Sequence, residues 1–184
     1  MRIKLKKMSN LYNNKYRIPS ARAQWHDYNC GFYFITICTE KREHFFGEIY
    51  NDKIALSKLG IFANSYITKI NHTYNDAQIL SHVVMPNHIH FIIRVDKFHN
   101  KQQNVKNNSD VNEKMSDISK RCGRLSNIII KYKSAVTKYA NKYDIPFLWQ
   151  DRFYDRIIRN NEEFAIKRNY IEQNIANWKD DDLY

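Results

Sequence analysis

The chain is predicted to adopt an α+β fold of the ferredoxin-like, split βαβ type: an antiparallel sheet with an added C-terminal helix. Segments of strand length rich in β-branched and aromatic residues are separated by two stripes of helical period, in the order strand, helix, strand, strand, helix, strand. A capping pair then opens a further helix after the last strand. At 184 residues the chain is long enough for one substantial core, so a single domain at 29–184 is expected. A basic arm at 1–28 precedes it, and a polar loop or insertion at 97–120 interrupts it.

The first strand is Gly31-Phe32-Tyr33-Phe34-Ile35-Thr36-Ile37-Cys38-Thr39, and a short hairpin is expected within 45–55. Ser57 is a plausible N-cap before Leu59, Phe62, Ala63, Tyr66, Ile67 and Ile70, which keep the 3-4-3-4 spacing of an amphipathic helix. A strand at 78–85 follows, and Met85-Pro86-Asn87 turns the chain into the next strand, so the two should pair as antiparallel neighbours. The second long helix begins after Gly123 and buries Leu125, Ile128, Ile129, Tyr132, Ala135, Val136 and Tyr139. A strand at 153–158 precedes the terminal helix, which Asn160 and Glu163 cap and which is expected to run to about Trp178. Such a sheet buries one face under two helices and leaves the other free for a site.

Charge narrows the class of partner. Lys and Arg outnumber Asp and Glu by 30 to 19, a net charge of +11. The excess is concentrated: residues 1–22 hold seven basic residues and no acid, and residues 121–159 hold nine against three. Clustering of this kind fits a polyanion, with nucleic acid first. The 26 aromatic residues include rings suited to stacking on unpaired bases, although most should be core. No apolar run is long enough to cross a bilayer, and the basic N-terminus lacks the apolar stretch of a secretory signal. Cys30, Cys38 and Cys122 have neither metal spacing nor even number, which suits a reducing cytoplasm.

The strand after the turn carries the chemistry. His88, His90, Ile92 and Arg94 share one face, and Ile89, Phe91, Ile93 and Val95 the other. Two imidazoles one residue apart on a strand can offer two nitrogens to one metal ion, or can sit on a solvated face. On the terminal helix Tyr170 and Asn174 lie one turn apart, at the edge of the stripe Phe164, Ile171, Ile175 and Trp178. With the Asn174 amide oxygen, the histidines make a neutral three-ligand set that leaves positions open on a hard divalent ion. Tyr170 is either half-buried packing or a reachable phenol.

These motifs resemble a known family. Met85-Pro86-Asn87-His88-Ile89-His90, then Trp149-Gln150-Asp151-Arg152-Phe153-Tyr154-Asp155-Arg156-Ile157-Ile158-Arg159, then Tyr170-Ile171-Glu172-Gln173-Asn174 with Trp178, resemble the REP-associated tyrosine transposases of the HUH, single-tyrosine group. Tyr33-Phe34-Ile35-Thr36 and Leu56-Ser57-Lys58-Leu59-Gly60 extend the likeness over nearly all the chain except 97–120, while Ile175 replaces a proline common in the family.

The resemblance implies that His88 and His90 are paired metal ligands, that Asn174 completes the set for Mg²⁺ or Mn²⁺, and that Tyr170 is the nucleophile. It implies cleavage and rejoining of single-stranded DNA at hairpin, REP-like sequences through a 5′-phosphotyrosine, by a monomer or homodimer. Arg17 and Arg22 in the arm, Arg94 on the histidine strand, Lys131 and Lys138 on the second helix, and Arg152, Arg156 and Arg159 are candidate DNA contacts. A non-catalytic protein binding single strands or hairpins, and a hydrolase activating water on two histidines, remain the alternatives.

Overall fold

Strand-patterned segments pair into a four-stranded antiparallel sheet and a separate two-stranded one in the computed structural model, which describes residues 28–96, 123–181 and 183. The strands are β1 (Gly31–Cys38), β2 (Gly47–Tyr50), β3 (Lys53–Leu56), β4 (Ala77–Val84), β5 (His88–Val95) and β6 (Tyr154–Ile158). The helices are α1 (Lys58–Thr73), α2 (Arg124–Lys142) and α3 (Asn161–Gln173), with 3-10 turns at Glu40–Arg42 and Trp178–Asp180. The sheet order is β4-β5-β1-β6, and β2 and β3 form a separate hairpin. This is the expected split βαβ arrangement with an added C-terminal helix. The predicted insertion at 97–120, and the arm apart from Tyr28, lie outside the described residues.

Local chemistry accounts for the helix starts. The Ser57 hydroxyl accepts from Gly60 N at 3.0 Å and donates to Phe45 O at 2.7 Å, which both caps α1 and ties it to the preceding chain. Gly60 is required there, because a Cβ would stand 2.0 Å from Phe46 O. At α3, Asn160 Oδ1 accepts from Glu163 N at 2.8 Å. The Glu163 carboxylate reaches back to Arg159 N at 2.9 Å rather than to the cap residue itself, a variant of the capping box.

One sheet face carries Tyr33, Ile35, Ile89, Phe91 and Ile93 and packs against Leu59, Ala63 and Ile67 of α1 and Ile128, Ile129 and Tyr132 of α2. The predicted stripes hold, with two shifts: Phe62, Tyr66, Ala135 and Tyr139 are only partly buried, and Ala140 is buried in α2.

The opposite face departs from expectation. It is not free: Ile171 and Trp178 cover it, packed with Phe34, Met85, Ile92 and Ile158 in a second, smaller apolar cluster. Burying each such side chain contributes about 1.5–3 kcal/mol, enough to hold α3 against the sheet. The terminal helix also stops at Gln173 instead of near Trp178. Asn177 N still bonds Gln173 O at 3.0 Å, but Trp178 N bonds Ile175 O in a tighter turn, and this bend brings the indole to 5.9 Å from the His88 ring centroid.

Candidate active site

The turn between β4 and β5 is held from several sides. Met85 N bonds His88 O at 2.9 Å, and Thr39, at the end of β1, gives both its N–H and its hydroxyl to Asn87 O at 2.9 Å. In the register of β1 and β5, Cys38 faces His88 and Thr36 faces His90. Both imidazoles therefore sit on an interior strand, toward the end where β1 finishes, and both are buried, 0% and 2% exposed.

Each imidazole is oriented through its Nδ1. His88 Nδ1 lies 2.7 Å from Asn87 Oδ1, an amide oxygen that can only accept, so the proton is on Nδ1 and Nε2 carries a lone pair. Asn87 is itself fixed, since its Nδ2 donates to Leu183 O at 2.7 Å. His90 Nδ1 lies 2.8 Å from Thr36 Oγ1. Burial, above all, pushes both imidazoles down, His88 to about 4 and His90 to about 3, so both are neutral at neutral pH.

α3 and the turn after it bring the remaining groups to these nitrogens. The Tyr170 hydroxyl is 3.5 Å from His90 Nε2 and donates to Asp181 Oδ2 at 3.0 Å. Its ring stands edge-on to Phe34 and His90, at 5.9 and 5.3 Å between centroids, and the residue is 38% exposed. The phenol is thus held by packing while remaining reachable. Asn174 is buried, and its Nδ2 donates to Asp181 Oδ2 at 2.8 Å. Leu183 N donates to Asp181 Oδ1 at 2.7 Å. Partial burial pushes the Asp181 carboxyl up, but the hydrogen bonds from Leu183 and Asn174 and the His88 ring nearby outweigh it and hold the group below its ordinary value.

At this site, among the described residues, two buried atoms are left without a hydrogen-bond partner: His88 Nε2 and Asn174 Oδ1. Asn174 is close enough to His88 to bias its protonation upward, yet no hydrogen bond in good geometry joins them. With the single imidazole proton committed to Asn87, both atoms are acceptors. Buried acceptors without a donor are costly, and a cation held by both would remove the cost. His88, His90 and Asp181 also each offer a ligand atom, all within 4.8 Å of one another. Imidazole nitrogens, an amide oxygen and a carboxylate are a fitting donor set for a divalent first-row ion.

The basic candidates are scattered. Arg156 lies on β6 opposite Phe34, on the Tyr170 side of the sheet. Arg94 is at the far end of β5, opposite Phe32, and pairs with Asp96 at 3.3 Å. Lys131 and Lys138 are exposed on α2, which packs against the other sheet face, and Lys131 sits over the Tyr74 ring. Arg152 is exposed in the segment that Lys133 holds, through bonds to Gln150 O and Arg152 O at 2.8 Å. Arg159 is exposed beside the α3 cap, and Arg17 and Arg22 lie outside the described residues.

No family model matches the chain. An uncharacterized protein of Haemophilus influenzae is 31% identical over 169 residues, which span 90% of this chain and 92% of that one. The chain belongs to that protein's family. Among solved structures it is similar to a REP-associated tyrosine transposase bound to a REP hairpin, with a TM-score of 0.49 and 16% identity over 86% of this chain and 74% of that one. It is also similar to a candidate transposase of Deinococcus radiodurans, with a TM-score of 0.38 and 14% identity over 83% of this chain and 95% of that one. At such scores these likenesses carry nothing about chemistry, which has to come from the site itself.

Sequence reasoning missed Asp181, the carboxylate that joins the phenol, the amide and the imidazoles. Its only signal was an acidic run, Asp180-Asp181-Asp182, close behind the tyrosine helix in a strongly basic chain. Lys167 was missed as well: its ammonium lies 5.5 Å from the Tyr170 ring centroid and 4.8 Å from that of Phe34. It stands three residues before Tyr170, the spacing that puts two side chains on one helix face.

Proposed function

We propose that this protein cleaves and rejoins single-stranded DNA at hairpin, REP-like sequences, with Tyr170 as nucleophile and a divalent ion, Mn²⁺ or Mg²⁺, held by His88, His90, Asp181 and Asn174. The observation that carries the reading is the convergence of a reachable phenol with two neutral imidazoles and a carboxylate, 3.5 Å from His90 Nε2 and 3.0 Å from Asp181 Oδ2. The choice of DNA hairpins as substrate rests on the motif resemblance and the basic charge.

Tyr170 attacks the phosphorus of a phosphodiester: its oxygen forms the new bond to phosphorus, the bond to the 3′ oxygen breaks, and that oxygen leaves as a 3′-hydroxyl after gaining a proton. The product is a 5′-phosphotyrosine, which conserves the energy of the broken ester, so a second 3′-hydroxyl can reverse the step onto another strand. A free phenol titrates near 10 and is a weak nucleophile at neutral pH. Its hydrogen bond to Asp181 gives the departing proton a path. When bound, the cation supplies charge stabilisation for the phosphoryl oxygens and the phenolate. Asn87 and Thr36 keep the imidazole nitrogens aimed.

The test is incubation of the full chain with labelled single-stranded DNA hairpins and Mn²⁺, followed by a denaturing gel and peptide mass mapping. A covalent adduct on Tyr170 is expected. Cleavage that leaves the protein unmodified would assign water as the nucleophile, and tight binding without cleavage would assign a binding protein.

A further inference from the structure

We propose that Lys167 and Arg156 form a phosphate-binding subsite in the cleft between β6 and α3, holding the DNA phosphate that flanks the one attacked by Tyr170. The inference rests on the preceding reading of Tyr170 as nucleophile. The cleft has a volume of about 110 Å³ and is lined by Arg156, Ile158, Glu163, Ile166 and Lys167. The carboxylate among these residues, Glu163, accepts from Arg159 N in the α3 cap, and its charge also favours the Lys167 ammonium. Among the described residues neither Lys167 nor Arg156 makes an ion pair. Two cations and one carboxylate therefore share the cleft, which keeps a net positive charge that an anion would offset.

The Lys167 ammonium is held in place. It lies at cation–π distance from both Phe34 and Tyr170, and Phe34 in turn stacks on His90 at 5.0 Å between centroids. Burial lowers its affinity for a proton first and the Arg156 charge adds to that, while the Glu163 carboxylate opposes both. Across the sheet, His88 and His90 on β5, Phe34 on β1 and Arg156 on β6 follow one another on the same face. The phenol oxygen is turned toward His90 and Asp181, so the reacting phosphorus belongs at that end. The subsite at Lys167 and Arg156 lies toward β6 and suits the neighbouring phosphate of the same strand. A pair of cations can bind any base sequence, so the subsite positions the strand without reading it.

The test uses the Tyr170→Phe protein without metal, which leaves the DNA uncut, and a labelled hairpin oligonucleotide with single-stranded flanks. Each flanking phosphate is replaced singly by a neutral methylphosphonate. At one position the replacement is expected to weaken binding about tenfold, the scale of a charge-assisted hydrogen bond. Adding Lys167→Met, which keeps the apolar stem over Phe34, should erase the sensitivity at that position alone, and Lys167→Arg should restore it. Arg156→Gln should reduce it, with the salt slope falling by about 0.7 for each lost contact. A lysine that only covers Phe34 would leave the methylphosphonate profile unchanged in Lys167→Met, and that result overturns the proposal. Failure of the Tyr170 adduct with the positional effect intact would overturn the nucleophile instead, so the two readings fail separately.

Discussion

Asn174 Nδ2 donates to Asp181 Oδ2 at 2.8 Å, a bond across seven residues that fixes the turn after α3 and leaves the other amide atom, Oδ1, buried and unpartnered. The oxygen that the sequence marked as a ligand is thus free to serve as one. The same amide also presents a carboxylate to the imidazoles, which no helical spacing announces.

Replacing the nucleophile separates chemistry from binding. Tyr170→Phe should lower DNA cleavage by about a thousandfold or more, the scale of removing an attacking group. It removes one hydrogen bond to Asp181, so stability should fall by no more than about 1 kcal/mol and hairpin affinity should hold. Single-turnover cleavage, thermal melting and a gel-shift titration would check the three parts; cleavage at the parent rate sinks the assignment.

Cation binding should show as thermal stabilisation that depends on the buried donors. Mn²⁺ should raise the melting temperature of the parent protein, and His88→Ala should abolish that rise. Asp181→Asn, which keeps the shape of the group but not its charge, should weaken the rise. An equal Mn²⁺ shift in all three proteins would place the ion elsewhere.

Asn87 touches no proposed substrate, yet it sets which nitrogen of His88 carries the proton and also anchors Leu183. Asn87→Ala should reduce metal affinity about 10–100-fold, as loss of the group that orients a ligand does. Calorimetric titration with Mn²⁺ measures this directly, and unchanged affinity would mean that the His88 tautomer is set by something else.

Acid should weaken the fold in a defined window. His88 and His90 are held neutral down to about 4 and 3, against an ordinary value of 6.5. As pH falls below about 6.5 the unfolded chain takes up protons that the native state refuses, so stability is fully present above that value and declines toward about 4. Melting temperature followed by circular dichroism from pH 7.5 to 4.5 should fall, and His88→Asn should flatten the fall. A constant melting temperature over that range would contradict the buried neutral imidazoles.

What the sequence by itself determined is local and periodic. The alternation in residues 88–95 puts His88 and His90 on one face, the stripes of α1 and α2 select their buried sides, and Ser57 and Asn160 begin their helices, because each follows from geometry repeated over a few residues. The spacing of Tyr170 and Asn174 was legible for the same reason. Tertiary structure alone decided what covers the histidine face, where the chain turns after Gln173, and that Asp181 meets the imidazoles. Those outcomes depend on Trp178 packing near His88 and on Leu183 bonding Asn87, contacts between segments about ninety residues apart that no short-range pattern encodes.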